Sequence, residues 1–359
     1  MPYPPDYGGV IDVYYKIKAL FDLGVKIHLH SYEYGRKRAE LLEEFCEDVH
    51  YYKRHYGIKY SFSKLPYIVS TRSSKSLLRN LVKDEHPVLF EGLHTTFHID
   101  NDQLSGRKRI VRTHNVEHEY YSSLTESEKT YYKKTYYKIE SQKLKTYENI
   151  LMYADSIAAI SKNDFNHFNR KFNEVYYIPA FHPNNELNCR SGKGEYVLYH
   201  GNLSVAENVK ACLFQINRVF RILNKQVIIA GRNPDIRIVN TVEKYNNIRL
   251  VGNPSNNEMT ELISNAQVNV LTTFQKTGLK LKLLAALFNG RHCIVNYPMV
   301  DNTGLEDLCS VQENPEEIRA EIIRLYDIPF DAVAIERRKK ALLEDFSNKR
   351  NAEKLLELL

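Results

Sequence analysis

Two lysines at the start of one apolar helix carry the clearest chemistry in this 359-residue chain. They are Lys280 and Lys282, in the stretch from Val268 to Pro298, VNVLTTFQKTGLKLKLLAALFNGRHCIVNYP. A helix N-terminus presents unpaired N–H groups and the positive end of the macrodipole, so cations there oppose the field and a docked anion relieves it. Phosphate is the obvious anion. Snorkelling of both lysines from a buried helix into solvent accounts for them equally well. On a helical wheel Leu279, Leu281, Leu283, Leu284, Ala286, Leu287 and Phe288 cover most of the circumference. Gly278, Lys282, Ala285 and Asn289 share one narrow arc that is polar or small, which leaves a stripe clear for something else. Lys280 sits on a different side. A second anion-compatible feature is the pair Gly8-Gly9 closing PYPPDYGG, where missing side chains let a ligand approach backbone N–H groups. An ordinary loop before a helix is the other reading of that pair.

The elements around these residues alternate. Val268 to Phe274 reads as a strand, Thr277 as a helix cap, Gly290 as the stop, and His292 to Asn296 as the next strand, which makes one βαβ crossover. Toward the N-terminus the pattern predicts a helix to Leu20, a strand Val25 to His30, a helix Arg36 to Arg54, a strand Tyr67 to Thr71 and a helix Ser73 to Lys83. Strands Pro87 to Glu91 and Arg109 to Thr113 follow, then one long Tyr- and Lys-rich helix Glu126 to Tyr153 and a strand Ile157 to Ile160. The tyrosines of that helix are read as amphipathic packing. A Pro-, Asn- and Gly-rich stretch marks a linker at 181–195, dividing an N-terminal domain 1–180 from a C-terminal domain 196–330. Helices at 331–359 close the chain. The second half alternates again from the strand Tyr196 to His200 through the helix Pro315 to Tyr326.

This is an α/β chain of two Rossmann-like domains, with parallel sheets facing a central cleft where ligands bind outside the C-terminal strand ends. A glycine turn opening a helix in such a domain follows a strand, yet only Met1 precedes the prolines. The expectation is therefore that the first N-terminal strand is missing and that the native reading frame begins upstream.

Composition excludes several classes. Apolar content is 43%, no apolar run approaches the length of a membrane span, and Met1 is not followed by a secretory leader pattern, so a soluble cytosolic protein is expected. Five scattered cysteines without CxxC spacing suggest neither a disulfide framework nor zinc. A net charge of +6 suits anionic substrates or an anionic membrane surface but falls short of a nucleic-acid-binding domain, and Arg107-Lys108-Arg109 is the solvated start of a strand.

With the segments laid out, the sequence resembles family 4 glycosyltransferases of the GT-B fold over nearly its whole length. The pieces that carry the likeness are PYPPDYGG, RTHN at 112–115, ADSIAAISKND at 154–164, YHGNLSVAEN at 199–208 and TGLKLKLLAALFNGR at 277–291. The resemblance implies a retaining hexosyltransferase that moves a sugar from a nucleotide diphosphate donor to a glycan or lipid-linked acceptor hydroxyl. It implies no bound metal and no other cofactor, and a surface polysaccharide as product. Peripheral contact with the inner face of an anionic membrane fits such a role; nucleic acid is not expected as a partner.

Carried over position by position, the resemblance makes Gly8 and Gly9 the backbone that approaches the diphosphate and His114 the histidine at the donor sugar, with His118 four residues on as the fallback. Gly201, Asn202, Gly278, Lys280, Lys282 and Ala285 fall on the donor side. Four positions depart from the family. Asn202 and Asn208 stand where many members have an arginine and a lysine, and Ala285 and Thr277 stand where members have glutamates. Lys282, one turn before Ala285, is the cation left to supply the missing phosphate charge, and it is preferred to Lys280. The competing reading is a non-catalytic sugar or nucleotide binding module that lost turnover with those groups.

Overall fold

The structure, a computed structural model, describes residues 1–6, 8–274 and 280–359. The described residues divide into two compact units, one within 1–183 together with 346–359, the other within 184–274 together with 280–345.

The second unit is built on a six-stranded sheet. Its strands are β7 (Tyr196–Asn202), β8 (Val227–Arg232), β9 (Ile248–Gly252), β10 (Ala266–Leu271), β11 (His292–Val295) and β12 (Ser310–Val311). They lie in the order β12-β11-β10-β7-β8-β9, and every pairing is parallel. The chain therefore winds one way from β7 to β9 and the other way from β10 to β12, the doubly wound pattern whose switch point lies between β7 and β10. Nearly continuous apolar runs explain why these strands are central. Every residue of β10 is buried, as are the first five of β7 and of β8. Helices begin where their caps dictate: Ser255 and Glu258 form a reciprocal capping box, and Asn314 caps the helix that Pro315 opens.

The first unit has two parallel sheets. β1 (His28–Glu33) pairs with β2 (Asp48–Lys53), while β3 (Val88–Glu91), β4 (Arg109–Thr113), β5 (Ser156–Ala159) and β6 (Val175–Tyr177) form a sheet in that order. Among the described residues no ladder joins the two sheets. Helix α1 (Gly8–Asp22) packs Ala19 and Leu20 with Ile110, Ala158 and Phe181, and the terminal helix Asn348–Leu356 adds Ala352 and Leu355 to the same cluster. Each fully buried leucine there is worth roughly 2 kcal/mol.

Three expected elements differ. Residues 36–54 form a 3-10 turn, Glu40–Glu44, followed by β2, because Val49, Tyr51 and Tyr52 favour a pleated surface and pair with β1 in register. Tyr67–Ser70 is a helical turn, its Tyr67 N–H donating to Glu140 Oε2 at 2.6 Å; so short an apolar run does not separate strand from helix. The long helix is a hairpin of Glu117–Ser127 and Tyr131–Tyr147 followed by a 3-10 turn, Glu148–Tyr153. At the break the Glu128 carboxylate accepts from the Lys129 and Thr130 N–H groups at 2.9 and 2.8 Å, so a local side-chain bond replaces the helical ladder. Its tyrosines divide between roles: Tyr121 and Tyr147 pack on the core, whereas Tyr131 and Tyr132 are exposed.

The stretch expected as a linker is anchored. Phe181 and His182 are fully buried in the first unit, and Gly194 donates its N–H to Gln267 Oε1 at 2.6 Å in the second. Two sheet strands, β6 and β12, have no counterpart in the sequence reading.

Candidate functional site

In the second unit the site forms at the switch point, on the C-terminal ends of β7 and β10. β7 ends in Gly201-Asn202 and β10 runs into Thr272. Gly231 on β8 makes the approach possible, since a Cβ there would collide with the Gly201 carbonyl. The helix Leu281–Asn289 begins after Lys280, its N-cap, and Gly290 ends it. Lys282 Nζ donates to Asn208 Oδ1 at 3.0 Å and to the Thr272 carbonyl at 3.4 Å, and it stands 5.7 Å from the centre of the Tyr199 ring. Asn208 Nδ2 donates to the Asn202 carbonyl at 3.0 Å, and the Asn202 amide oxygen accepts from Ser204 N–H and Oγ at 3.1 and 2.8 Å. The two asparagines at the charge-losing positions thus build a cradle, and Lys282 brings the charge into it.

Electrostatics mark the same spot. Burial first and Lys280 second hold the Lys282 ammonium down to about 8, and burial brings Lys280 to about 8 as well. Burial and Lys282 together push His200 down to about 3, so this buried imidazole is neutral, and its Nε2 has no hydrogen-bond partner among the described residues. Two neighbouring cations with depressed pKa values are costly in an empty site and are relieved by an anion.

The clear stripe inferred from the wheel is only partly so. Asn289 is buried and donates to Asn184 Oδ1 and to the Ala285 carbonyl at 2.8 and 2.9 Å, and Ala285 packs on the apolar cluster around Ile263 and Ala266. What remains of the stripe is its Lys282 end. Thr277 and Gly278 lie outside the described residues.

In the first unit a second site gathers at the ends of β3 and β4 and at the start of α1. Gly8 and Gly9 are the first residues of α1, so their N–H groups belong to a helix terminus and not to a preceding loop. His114 follows β4. Its Nε2 faces Glu91 Oε2 at 3.3 Å and Asp12 Oδ2 at 3.5 Å. Its Nδ1 lies 3.7 Å from where a Cβ would stand on Gly9 or on Gly92, an ordinary contact distance, while a Cβ on Gly92 would first collide with the His94 ring at 2.7 Å. Asp12 is fully buried and takes Arg112 Nε and Nη2 at 2.9 and 2.8 Å and the Phe181 N–H at 2.8 Å. Lys16, also buried, bonds Glu91 at 2.6 Å and Asp12 at 3.4 Å.

Burial alone would make His114 neutral, but Asp12 and Glu91 outweigh it and raise the imidazole to about 9. It is an imidazolium at neutral pH with Nδ1–H left to donate. Burial works against Asp12 too, yet Arg112 and Lys16 keep its carboxyl well below the usual range. Close by, burial lifts Glu117 to about 7 against the opposing pull of His114.

Asp12, Glu91 and His114 have the ligand types for a metal, with candidate atoms within 4.8 Å of one another. The buried Lys16 and Arg112 already balance both carboxylates, and a cationic His114 offers no lone pair, so this set fits a proton network better than an ion. His118 does not join it. Its Nε2 faces Glu148 Oε2 at 3.5 Å beside His167, on another side of the helix Glu117–Ser127.

Asp12, Lys16, Glu91 and Glu117 were not among the residues read from the sequence. The available signal was a carboxylate and an ammonium at i and i+4 on the face of α1 that also carries Ala19 and Leu20. Charges on a core-facing stripe come paired and pinned.

No protein-family model matches the chain. Its sequence is 26% identical over 310 residues, 80% of this chain and 78% of the other, to an uncharacterized 44.6 kDa protein in the cps region of Klebsiella pneumoniae. Among solved structures it is similar to a glycosyltransferase from Rickettsia africae (TM-score 0.63, 13% identity, 98% of this chain and 94% of that one). It is equally similar to Anabaena Alr3699/HepE, solved with UDP and glucose (TM-score 0.63, 9% identity, 97% and 95%). Matched to the TarM glycan complex of S. aureus, at TM-score 0.57 and 13% identity over 79% of this chain, it spans 57% of that longer chain. The fold is therefore that of the GT-B glycosyltransferases. No described helix is long and apolar enough to cross a membrane.

Proposed function

We propose that the chain is a retaining hexosyltransferase of the family 4 type, with a nucleotide diphosphate sugar as donor and a glycan or lipid-linked hydroxyl as acceptor. The observation that carries this reading is the Lys282–Asn208–Asn202 cradle at the switch point of the second unit's sheet, where a doubly wound fold holds phosphates. The fold's likeness to glycosyltransferases and the cps-region relative support a place in surface polysaccharide synthesis. The enzyme works in the cytoplasm, at the inner face of the membrane when its acceptor is lipid-linked.

In the reaction the bond from the sugar's anomeric carbon to the diphosphate breaks, and a bond to the acceptor oxygen forms on the same face. The departing phosphate oxygen takes the acceptor's proton. Lys282 stabilises the charge that develops on the diphosphate, because a desolvated ammonium interacts more strongly as that charge grows. In the first unit the Gly8 and Gly9 N–H groups at the start of α1 offer a helix terminus to an anion, and His114, facing Asp12 and Glu91 through Nε2, has Nδ1–H to donate to a sugar hydroxyl. No metal is required in this scheme.

A panel of nucleoside diphosphates and their sugars, followed by thermal shift and calorimetry, tests the reading. Stabilisation by at least one diphosphate, lost in Lys282→Ala and largely kept in Lys280→Ala, is the expected outcome; equal affinity in wild type and Lys282→Ala would sink the assignment. Ala285, standing where a carboxylate is expected, favours the second reading of a binding module without turnover. Binding without any slow release of free sugar from the donor would decide for it.

A further inference from the structure

We propose that His118, Glu148 and His167 form a binding site for a divalent transition-metal ion of the zinc type, tying together three elements of the first unit. The three residues come from the helix Glu117–Ser127, the 3-10 turn Glu148–Tyr153 and the helix Lys162–Phe168. Two imidazoles and a carboxylate are a common ligand set for zinc, with a fourth position left to water.

The geometry is close to what an ion requires. Ligands bound to one zinc at about 2.0 to 2.1 Å in a tetrahedron lie roughly 3.3 Å apart. His167 Nε2 is 3.0 Å from both Glu148 oxygens and His118 Nε2 is 3.5 Å from Glu148 Oε2, with one ligand atom from each residue inside a 4.8 Å span. His118 Nε2 is buried and has no hydrogen-bond partner among the described residues. It faces the Glu148 carboxylate at 3.5 Å without hydrogen-bonding to it, which leaves room for an ion to bridge the two. On the far side of the other ring, His167 Nδ1 lies 3.9 Å from Glu119 Oε1, where a carboxylate can orient a metal-bound histidine.

Glu148 is nearly fully buried and its present counter-charge is Lys171, whose ammonium touches Oε1. Lys171 is 41% exposed, so it can swing into solvent and yield its place to an ion. That separates this cluster from the one around His114, where Lys16 and Arg112 are sealed in and the histidine is cationic. The helix that carries His118 starts three residues after His114, so an ion here would fix the segment on which His114 is mounted.

The test is calorimetric titration of zinc into the metal-stripped full chain, with cobalt(II) as a spectroscopic substitute. One ion should bind with a rise in melting temperature, and cobalt should show the visible bands of a four-coordinate nitrogen and oxygen site without a thiolate charge-transfer band. His167→Ala and His118→Ala should each weaken zinc by about tenfold or more. Lys171→Ala should bind zinc more tightly than wild type, and Lys171→Gln, which keeps a hydrogen-bond donor for the buried Glu148, should do the same if the alanine variant fails to fold. Nucleoside diphosphate affinity should be the same in wild type and Lys171→Ala, which keeps this result independent of the transferase reading. Absence of zinc binding in wild type, zinc affinity unmoved by Lys171→Ala and the histidine variants, or a thiolate band in the cobalt form would overturn the proposal.

Discussion

Replacing Lys282 with methionine should stabilise the second unit and at the same time weaken its grip on a nucleoside diphosphate. The folded unit holds this lysine at about 8 against an ordinary 10.5, through burial and then Lys280. Between those values the unfolded chain keeps a proton that the folded chain has lost, so stability climbs as pH rises through the window. At neutral pH the folded state therefore carries a cost of about 3 kcal/mol. Methionine has a similar length and no charge; allowing about 1 kcal/mol for the lost bond to Asn208, the variant should gain about 2 kcal/mol near pH 7, or several degrees in melting temperature. A charge-assisted hydrogen bond to phosphate is worth about 1.5 to 3 kcal/mol, so affinity for the nucleoside diphosphate that binds best in the panel should fall about ten- to a hundredfold. Wild-type affinity should also drop between about pH 7 and about pH 9.5 as Lys282 deprotonates, and the variant should lack that drop. Scanning calorimetry and titration calorimetry at both pH values read all three effects. A Lys282→Met chain that melts lower than wild type and binds that diphosphate equally well would make the lysine a structural group and overturn its role at the phosphate.

Three further outcomes follow from the first unit. His114→Ala should lower turnover by about a hundredfold with donor affinity little changed, as steady-state kinetics and calorimetry would show; parallel losses in both would place the residue in ground-state binding instead. His114 is raised from 6.5 to about 9, so the stability it adds, up to about 3 kcal/mol, is complete below pH 6.5 and disappears as pH rises through about 9. Urea denaturation of wild type and His114→Gln across that range should show the two curves converging at the alkaline end. Gly9→Val should crowd Nδ1 and cut turnover while the melting temperature stays within a few degrees; unchanged turnover would remove Nδ1 from the chemistry.

Most of the second unit was legible because its central strands β7, β8 and β10 are buried on both faces and its helices carry their own punctuation, whereas the short, half-buried β12 was not. Ser255, Asn314 and Gly290 cap or stop helices where the sequence pattern places those boundaries. The first unit was read less well where tertiary pairing overrode local pattern: Asp48–Lys53 is a strand because β1 lies beside it, and no periodicity in residues 36–54 conveys that. Lys282 was legible because a cation in an apolar helix is anomalous on its own. Glu91 was not, since a carboxylate 75 residues from its cation announces itself only once Lys16 and Glu91 are brought together; Asp12 had a local signal in Lys16 at i+4, but its main partner Arg112 lies 100 residues away. For the same reason His118 was grouped with His114 by spacing, whereas packing sends it to Glu148.

The central claim is turnover of a nucleotide sugar, and the most direct measurement is proton NMR of the chain incubated with a panel of nucleotide diphosphate sugars, alone and with simple glycan acceptors. One donor should release its nucleoside diphosphate, a release abolished in Lys282→Ala and slowed in His114→Ala, with the transferred sugar keeping the donor's anomeric configuration. No release from any donor that binds would contradict transferase activity, and an inverted anomeric configuration would contradict the retaining mechanism.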